Sequence, residues 1–260
     1  MSATGQVDIA ISGVRRSFRQ GRATVDALRD INLDIGHHAF IALLGPSGCG
    51  KSTLLRLMTG LEQPDAGSVL LRGQDPRSFR RTGGIGIAFQ DAALLPWRSI
   101  HDNVRLPLEV LGRPLGEYEE RIDALLRMVG LSGYEQALPG QLSGGMRQRA
   151  ALARSLISDP SILLLDEPFG ALDQITRRTL NVELQRIWSE RQITTVLVTH
   201  GVDEAAFLAN RIVVLHARPG RIAAVVDVPF AYPRDPALFG DPAFIVFCEE
   251  LMHLMHGPSA

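Results

Sequence analysis

The chain has 260 residues and a formal net charge of −1, with 27 lysines and arginines against 28 aspartates and glutamates. That length buries one full core with a small lobe attached; the balanced charge, without a long basic tract, argues against a nucleic-acid arm. No apolar run approaches the ~20 residues of a membrane span, Met1 to Asp8 lacks the apolar centre of a signal peptide, and Cys49 and Cys248 show no paired spacing, so the expectation is a soluble, cytoplasmic protein.

In chain order, Val7 to Val14 and Ile31, Leu33, Ile35 alternate apolar with polar residues around a Gln20-Gly21-Arg22 turn, which predicts an N-terminal antiparallel lobe. Phe18, just before that turn, suits either core packing or a platform for a purine base; the residue alone favours packing. Gly36-His37-His38 predicts a turn, with the paired histidines a surface feature. Phe40 to Leu44 is an apolar run of strand length, and Thr53 to Met58 has helical periodicity. Between them lies Gly45-Pro46-Ser47-Gly48-Cys49-Gly50-Lys51-Ser52, which fits the P-loop pattern at every fixed position. A glycine turn at a helix start points free N–H groups at one spot, which suits phosphate; Lys51 would reach the β- and γ-phosphates, and the Ser52 hydroxyl would hold Mg²⁺. Lys51 is also the only lysine in the chain. A bias that replaces every interchangeable lysine with arginine leaves one where a compact ammonium is needed.

Pro64 to Gly67 reads as a turn, and Ser68 to Leu71 and Ile85 to Phe89 as strands, the second ending at Gln90. From Ile100 to Gly140 the period turns helical, with Ile122, Leu125, Leu126 and Val129 on one face and Pro107, Pro114 and Pro139 as punctuation. Leu142-Ser143-Gly144-Gly145-Met146 then opens a helix over Arg147 to Ser158, a second candidate anion site at a helix start. Ile162 to Leu165 runs into Asp166-Glu167-Pro168. Two adjacent carboxylates at the end of a buried strand are costly unless they ligate a metal or do chemistry. A helix over Ile175 to Arg191, a buried strand Thr194 to Thr199 ending at His200, and a tail helix around His253 to His256 are the remaining predicted elements.

Alternating strands and helices predict an α/β core with a mostly parallel sheet, whose strand ends would bring the P-loop, Gln90, Asp166-Glu167 and His200 to one ligand. The expected organisation is a single nucleotide-binding domain over 1–260: core and β lobe from 7–99 and 160–225, a helical insert over 100–159, and a tail over 226–260.

The order of P-loop, glutamine loop, LSGG turn, carboxylate pair, Ala171-Leu172-Asp173 and histidine resembles the ATP-binding cassette ATPases over nearly the whole chain. The resemblance implies ATP hydrolysis with Mg²⁺. Ser47 to Thr53 would cradle the triphosphate, Gln90 would touch the metal or the attacking water, and Asp166 would hold the metal through water. Glu167 would be the general base, His200 would contact the γ-phosphate, and Phe18 would stack on adenine instead of packing in the core. It also implies a head-to-tail dimer, in which Ser143 and Gly145 of one chain close on the nucleotide of the other. Met146 stands where the family most often has glutamine, and Phe18 where tyrosine is commoner.

Leu94-Leu95-Pro96-Trp97, the methionine-bearing signature and Arg218-Pro219-Gly220-Arg221 look like the ATPases of nitrate, sulfonate and taurine importers. That implies separate transmembrane permease subunits, a solute-binding protein outside the membrane, and a place on its cytoplasmic face. Only Gly201 to Ala260 follow the histidine, too short for the added β-domain of sugar-importer ATPases. Another importer, or a relative acting on ribosomes or DNA, is the alternative; a GTPase or kinase would leave the LSGG turn unexplained. Two further expectations concern single residues: Cys49, inside the phosphate loop beside Lys51, should favour thiolate and react with maleimide unless MgATP blocks it, and Leu95 and Trp97 should be exposed for a permease helix.

Overall fold

The computed structural model describes residues 6–21, 23–170, 172–217 and 219–256. Val7–Gln20 (β1) and Ala23–Gly36 (β2) pair antiparallel, and Arg22 of the expected turn between them lies outside the described residues. Phe40–Leu44 (β3), the helix Lys51–Met58 (α1), Ala66–Leu71 (β4), the helix Pro76–Arg81 (α2) and Ile85–Ala88 (β5) follow. β4 pairs antiparallel with β1, giving a three-stranded sheet in the order β2-β1-β4. Ala66 and Gly67, read from sequence as turn, therefore begin a strand.

Helices Ile100–Val110 (α3), Glu119–Met128 (α4) and Gly144–Leu156 (α5) come next. Pro107 sits inside α3 rather than ending it, while Ile122, Leu125, Leu126 and Val129 are buried as their spacing predicts. Ile162–Asp166 (β6), Gln174–Arg191 (α6), Thr194–Thr199 (β7), Val202–Leu208 (α7), Arg211–His216 (β8), Arg221–Asp227 (β9) and Pro242–His256 (α8) complete the chain.

The second sheet has six strands in the order β5-β6-β7-β3-β8-β9, parallel except for β9. Its inner strands β3, β6 and β7 are buried along their whole length because both faces are covered, and are mostly apolar, with three threonines in β7 and Asp166 at the end of β6. Side chains alternate across a strand, so Phe40, Ala42 and Leu44 of β3 join a core shared with α3 to α8. Ile41 and Leu43 join a second core shared with α1 and the antiparallel sheet. β6 divides the same way, Leu163 and Leu165 to the first core and Ile162 and Leu164 to the second.

The two sheets are also tied by a buried carboxylate. Asp8 accepts from Arg72 Nε at 2.8 Å and Thr194 Oγ1 at 2.5 Å, and lies 2.8 Å from His37 Nδ1. Burial works to raise its carboxyl, but these three hydrogen bonds and the arginine charge hold it below the usual range. His37 is thus part of an internal network and not only a surface feature. The segment after β9 is held as firmly: the buried Arg234 guanidinium donates to the carbonyls of Ala206, Phe207 and Ala209 at the end of α7.

Candidate active site

β3 delivers the chain to Gly45, and α1 begins at Lys51 with Gly50 as its cap. Gly50 adopts φ 96°, a left-handed conformation, and a Cβ there would stand 2.7 Å from Leu28 Cδ2 and 2.8 Å from the Ala27 carbonyl oxygen. Only glycine meets both conditions. Gly50 has no side chain to cap the helix, so the first N–H groups of α1 remain available to an anion.

These groups open on a cleft of about 440 Å³ lined by Phe18, Ser47, Gly48, Gly50, Lys51, Ser52 and Thr53 from one side and by Gln90, Glu167 and His200 from the other. The strand ends account for the convergence. Gln90 follows β5, Asp166 ends β6 with Glu167 next, and His200 follows β7. Glu167 is held in a left-handed conformation at φ 46°, its N–H donating to the Val198 carbonyl at 2.9 Å; such strain persists where surrounding structure enforces it. Its Oε2 accepts from Gln90 Nε2 at 3.3 Å, and its Oε1 lies 3.2 Å from His200 Nδ1.

Lys51 is buried, and its ammonium donates to the carbonyls of Gly45 at 2.7 Å and Pro46 at 2.9 Å. Gly45 and Pro46 thus hold the lysine rather than line the cleft. Asp166 faces a neighbouring cleft that shares Ser52 and Gln90, and the Ser52 hydroxyl donates to Asp166 Oδ1 at 3.1 Å. Burial raises the Asp166 carboxyl and the Glu167 charge adds to this, against the Ser52 hydrogen bond and the charges of Arg56 and Lys51.

Cys49 departs from expectation. Its side chain is fully buried in the second core; burial pushes the thiol up, and the nearby Lys51 charge offsets only part of that. The side chain packs beneath the loop, where Sγ accepts from Lys51 Nζ at 3.8 Å, and does not line the cleft. Leu95 is half-buried rather than exposed, whereas Trp97 is 72% exposed. Phe18 is half-buried at the mouth of the cleft, with the Arg16 guanidinium 4.8 Å from its ring centroid.

The LSGG turn does not join this cleft. Ser143 caps α5, its Oγ accepting from the Met146 N–H at 3.2 Å, so the helix begins at Gly144, three residues earlier than the arginines suggest. A Cβ on Gly145 would collide with the Leu172 side chain, and Met146 packs its side chain against the first core. Asp173 caps α6 through the Thr176 N–H at 3.0 Å; Ala171 lies outside the described residues. Three residues that no motif singles out also bear on the site. Gln148 and Arg154 of α5 donate to the carbonyls of Gln90 and of Ala92 and Ala93, and Glu204 is buried behind His200.

The sequence profile described as ABC transporter matches residues 28–170. The chain belongs to the ABC transporter family. As a cassette it is similar to "Uncharacterized ABC transporter ATP-binding protein MJ0412" of Methanocaldococcus jannaschii, 46% identical over 233 residues covering 88% of this chain and 85% of the relative. It is 39% identical over 227 residues to "Aliphatic sulfonates import ATP-binding protein SsuB" of Bacillus thuringiensis subsp. konkukian, covering 87% and 88%. Among solved structures, the ATP-binding cassette MJ0796, a dimer in a post-hydrolysis state bound to ADP and Pi, superposes with a TM-score of 0.78 at 31% identity over 86% of this chain and all of that one. The cassette is an ATPase with the P-loop fold of that family, and it binds ATP.

Proposed function

We propose that this ATPase energises a solute importer, taking up a small anion such as a sulfonate or nitrate, or taurine, through separate permease subunits at the cytoplasmic face of the membrane and supplied by a solute-binding protein. The observation that carries the catalytic part is the meeting of Lys51, Gln90, Glu167 and His200 in one cleft. The importer part rests on the sulfonate-import relatives and on the Leu94-Leu95-Pro96-Trp97 loop; the Arg218-Pro219-Gly220-Arg221 signal begins at a residue outside the described ones.

In this reading Phe18 stacks on the adenine, the N–H groups from Ser47 to Thr53 cradle the phosphates, and Lys51 turns from the loop carbonyls to the β- and γ-phosphates. Ser52, Gln90 and Asp166 present the hard oxygen donors that Mg²⁺ takes, and Asp166, costly to charge where it is buried, gains from a cation. The ion would offset phosphate charge when bound. Glu167 accepts the proton of the attacking water, with Gln90 and His200 beside its two oxygens to orient water and γ-phosphate. Ser143 and Gly145 complete the site from a second, head-to-tail copy, which gives purpose to a glycine turn outside the cleft of its own chain; the dimeric state of the MJ0796 relative supports this.

Trp97 is the proposed anchor for a permease helix, since an exposed indole on a loop is the type of residue that dominates interfaces. Trp97→Ala should leave basal ATPase near wild type while weakening co-purification with the permease and solute-stimulated hydrolysis. Normal assembly with full stimulation would move the docking surface elsewhere.

A further inference from the structure

Glu204 lies in the first turn of α7 and is 6% exposed. Its Oε2 shares a hydrogen bond with the Thr199 hydroxyl, while its Oε1 is buried with no hydrogen-bond partner among the described residues. Thr199 Oγ1 also accepts from the Gly201 N–H at 2.9 Å. One hydroxyl therefore joins the residues on either side of His200 to one buried carboxyl. His200 itself is mostly exposed, with 61% of its side-chain surface accessible, so little packing fixes the imidazole; its ring meets Glu167 Oε1 at 3.2 Å, and the turn that carries it sets where the ring starts from. A buried oxygen without a partner is a standing cost that ordinary packing would remove. Here the residue bearing it braces the loop beneath a cleft residue.

We propose that Glu204 is a positioning residue for His200, holding through Thr199 the turn from which the imidazole reaches the nucleotide. The brace is sensitive to charge. Burial pushes the Glu204 carboxyl up to about 7, opposed by the Thr199 hydrogen bond, by Arg177 on α6 and by His200, and reinforced by Asp203 on α7. When neutral, the acid keeps its hydrogen bond with Thr199 at no charge cost. When ionised, it is a buried carboxylate with a single donor, which favours any rearrangement of the turn that brings another donor or water to it. The brace is firm below neutrality and loosens as pH rises through about 7.

The test is ATP turnover of the full chain from about pH 6 to about pH 8.5, a range that brackets the titration. Glu204→Gln keeps shape and hydrogen bonding but cannot ionise, and Glu204→Ala removes the brace. The ratio of Glu204→Gln to wild-type turnover should rise several-fold across the range, and Glu204→Gln should recover most of what Glu204→Ala loses. In a His200→Ala background, Glu204→Ala should cost little more, because the two act as one unit. Should Glu204→Ala fail to fold, as judged by urea unfolding, Thr199→Val cuts the same link from the other side and should also abolish the pH-dependent difference. A ratio flat with pH, or an undiminished cost in the His200→Ala background, would overturn the proposal. The inference rests on the proposed place of His200 at the γ-phosphate. Full turnover in His200→Ala alone would overturn that reading and this one with it, whereas lost turnover in His200→Ala with a flat ratio would overturn only the role of Glu204.

Discussion

The cassette has two glycine turns at helix starts, and they are built differently. At the P-loop, Gly48 and Gly50 take left-handed conformations, no side chain caps α1, and the free N–H groups face a cleft already furnished with Lys51, Gln90, Glu167 and His200. At the signature turn, Ser143 is an ordinary extended cap whose own hydroxyl accepts an N–H of α5, and no residue of the turn lines that cleft. The first is a site within one chain. The second, in the proposed reading, is half of a site, and the same helix that presents it also holds the carbonyls of Gln90, Ala92 and Ala93.

The largest expected effect is at the first turn. Lys51→Arg keeps the charge, but the planar fork cannot take the place of an ammonium buried against the Gly45 and Pro46 carbonyls. Nucleotide binding, measured by equilibrium titration, should be lost; normal affinity would mean the lysine is not the phosphate ligand. Next, Glu167→Gln should lower turnover by ~10²–10⁴-fold while keeping ATP affinity and accumulating the ATP-bound dimer in size-exclusion chromatography. A mutant within a few-fold of wild type would remove Glu167 from the role of base. The smallest effect concerns Cys49. Buried and with its thiol raised, it should label slowly with maleimide whether or not MgATP is present; rapid labelling that nucleotide blocks would restore an exposed thiolate.

That last case marks where the sequence stops being informative. The P-loop pattern places Cys49 among phosphate-binding neighbours, but motif spacing says nothing about which way one side chain points. Strands β3, β6 and β7 are legible because strands covered on both faces are rich in apolar and β-branched residues, with threonines in β7 and Asp166 closing β6. β8, β9 and α7 are harder to find, since beyond His200 the only motif used, Arg218 to Arg221, speaks to family resemblance and not to secondary structure. Internal networks are invisible for a related reason. Asp8 and Thr194 are 186 positions apart, and neither they nor Glu204 follow a pattern that would set them apart from ordinary polar residues. The signature turn is legible as a glycine turn, yet its distance from the cleft is a property of the fold alone.

The central claim is that the two turns meet only between chains, and mixing two inactive variants tests it most directly. Lys51→Arg spoils the P-loop and leaves the signature intact; Ser143→Arg does the reverse by placing a bulky cation where a small hydroxyl caps α5. Each alone should hydrolyse almost nothing. A mixed dimer pairs the intact P-loop of one chain with the intact signature of the other, so mixing should restore ATP turnover that neither variant shows alone. If mixing restores none although mixed dimers form, the turns do not complement each other in trans and a site shared between chains is contradicted.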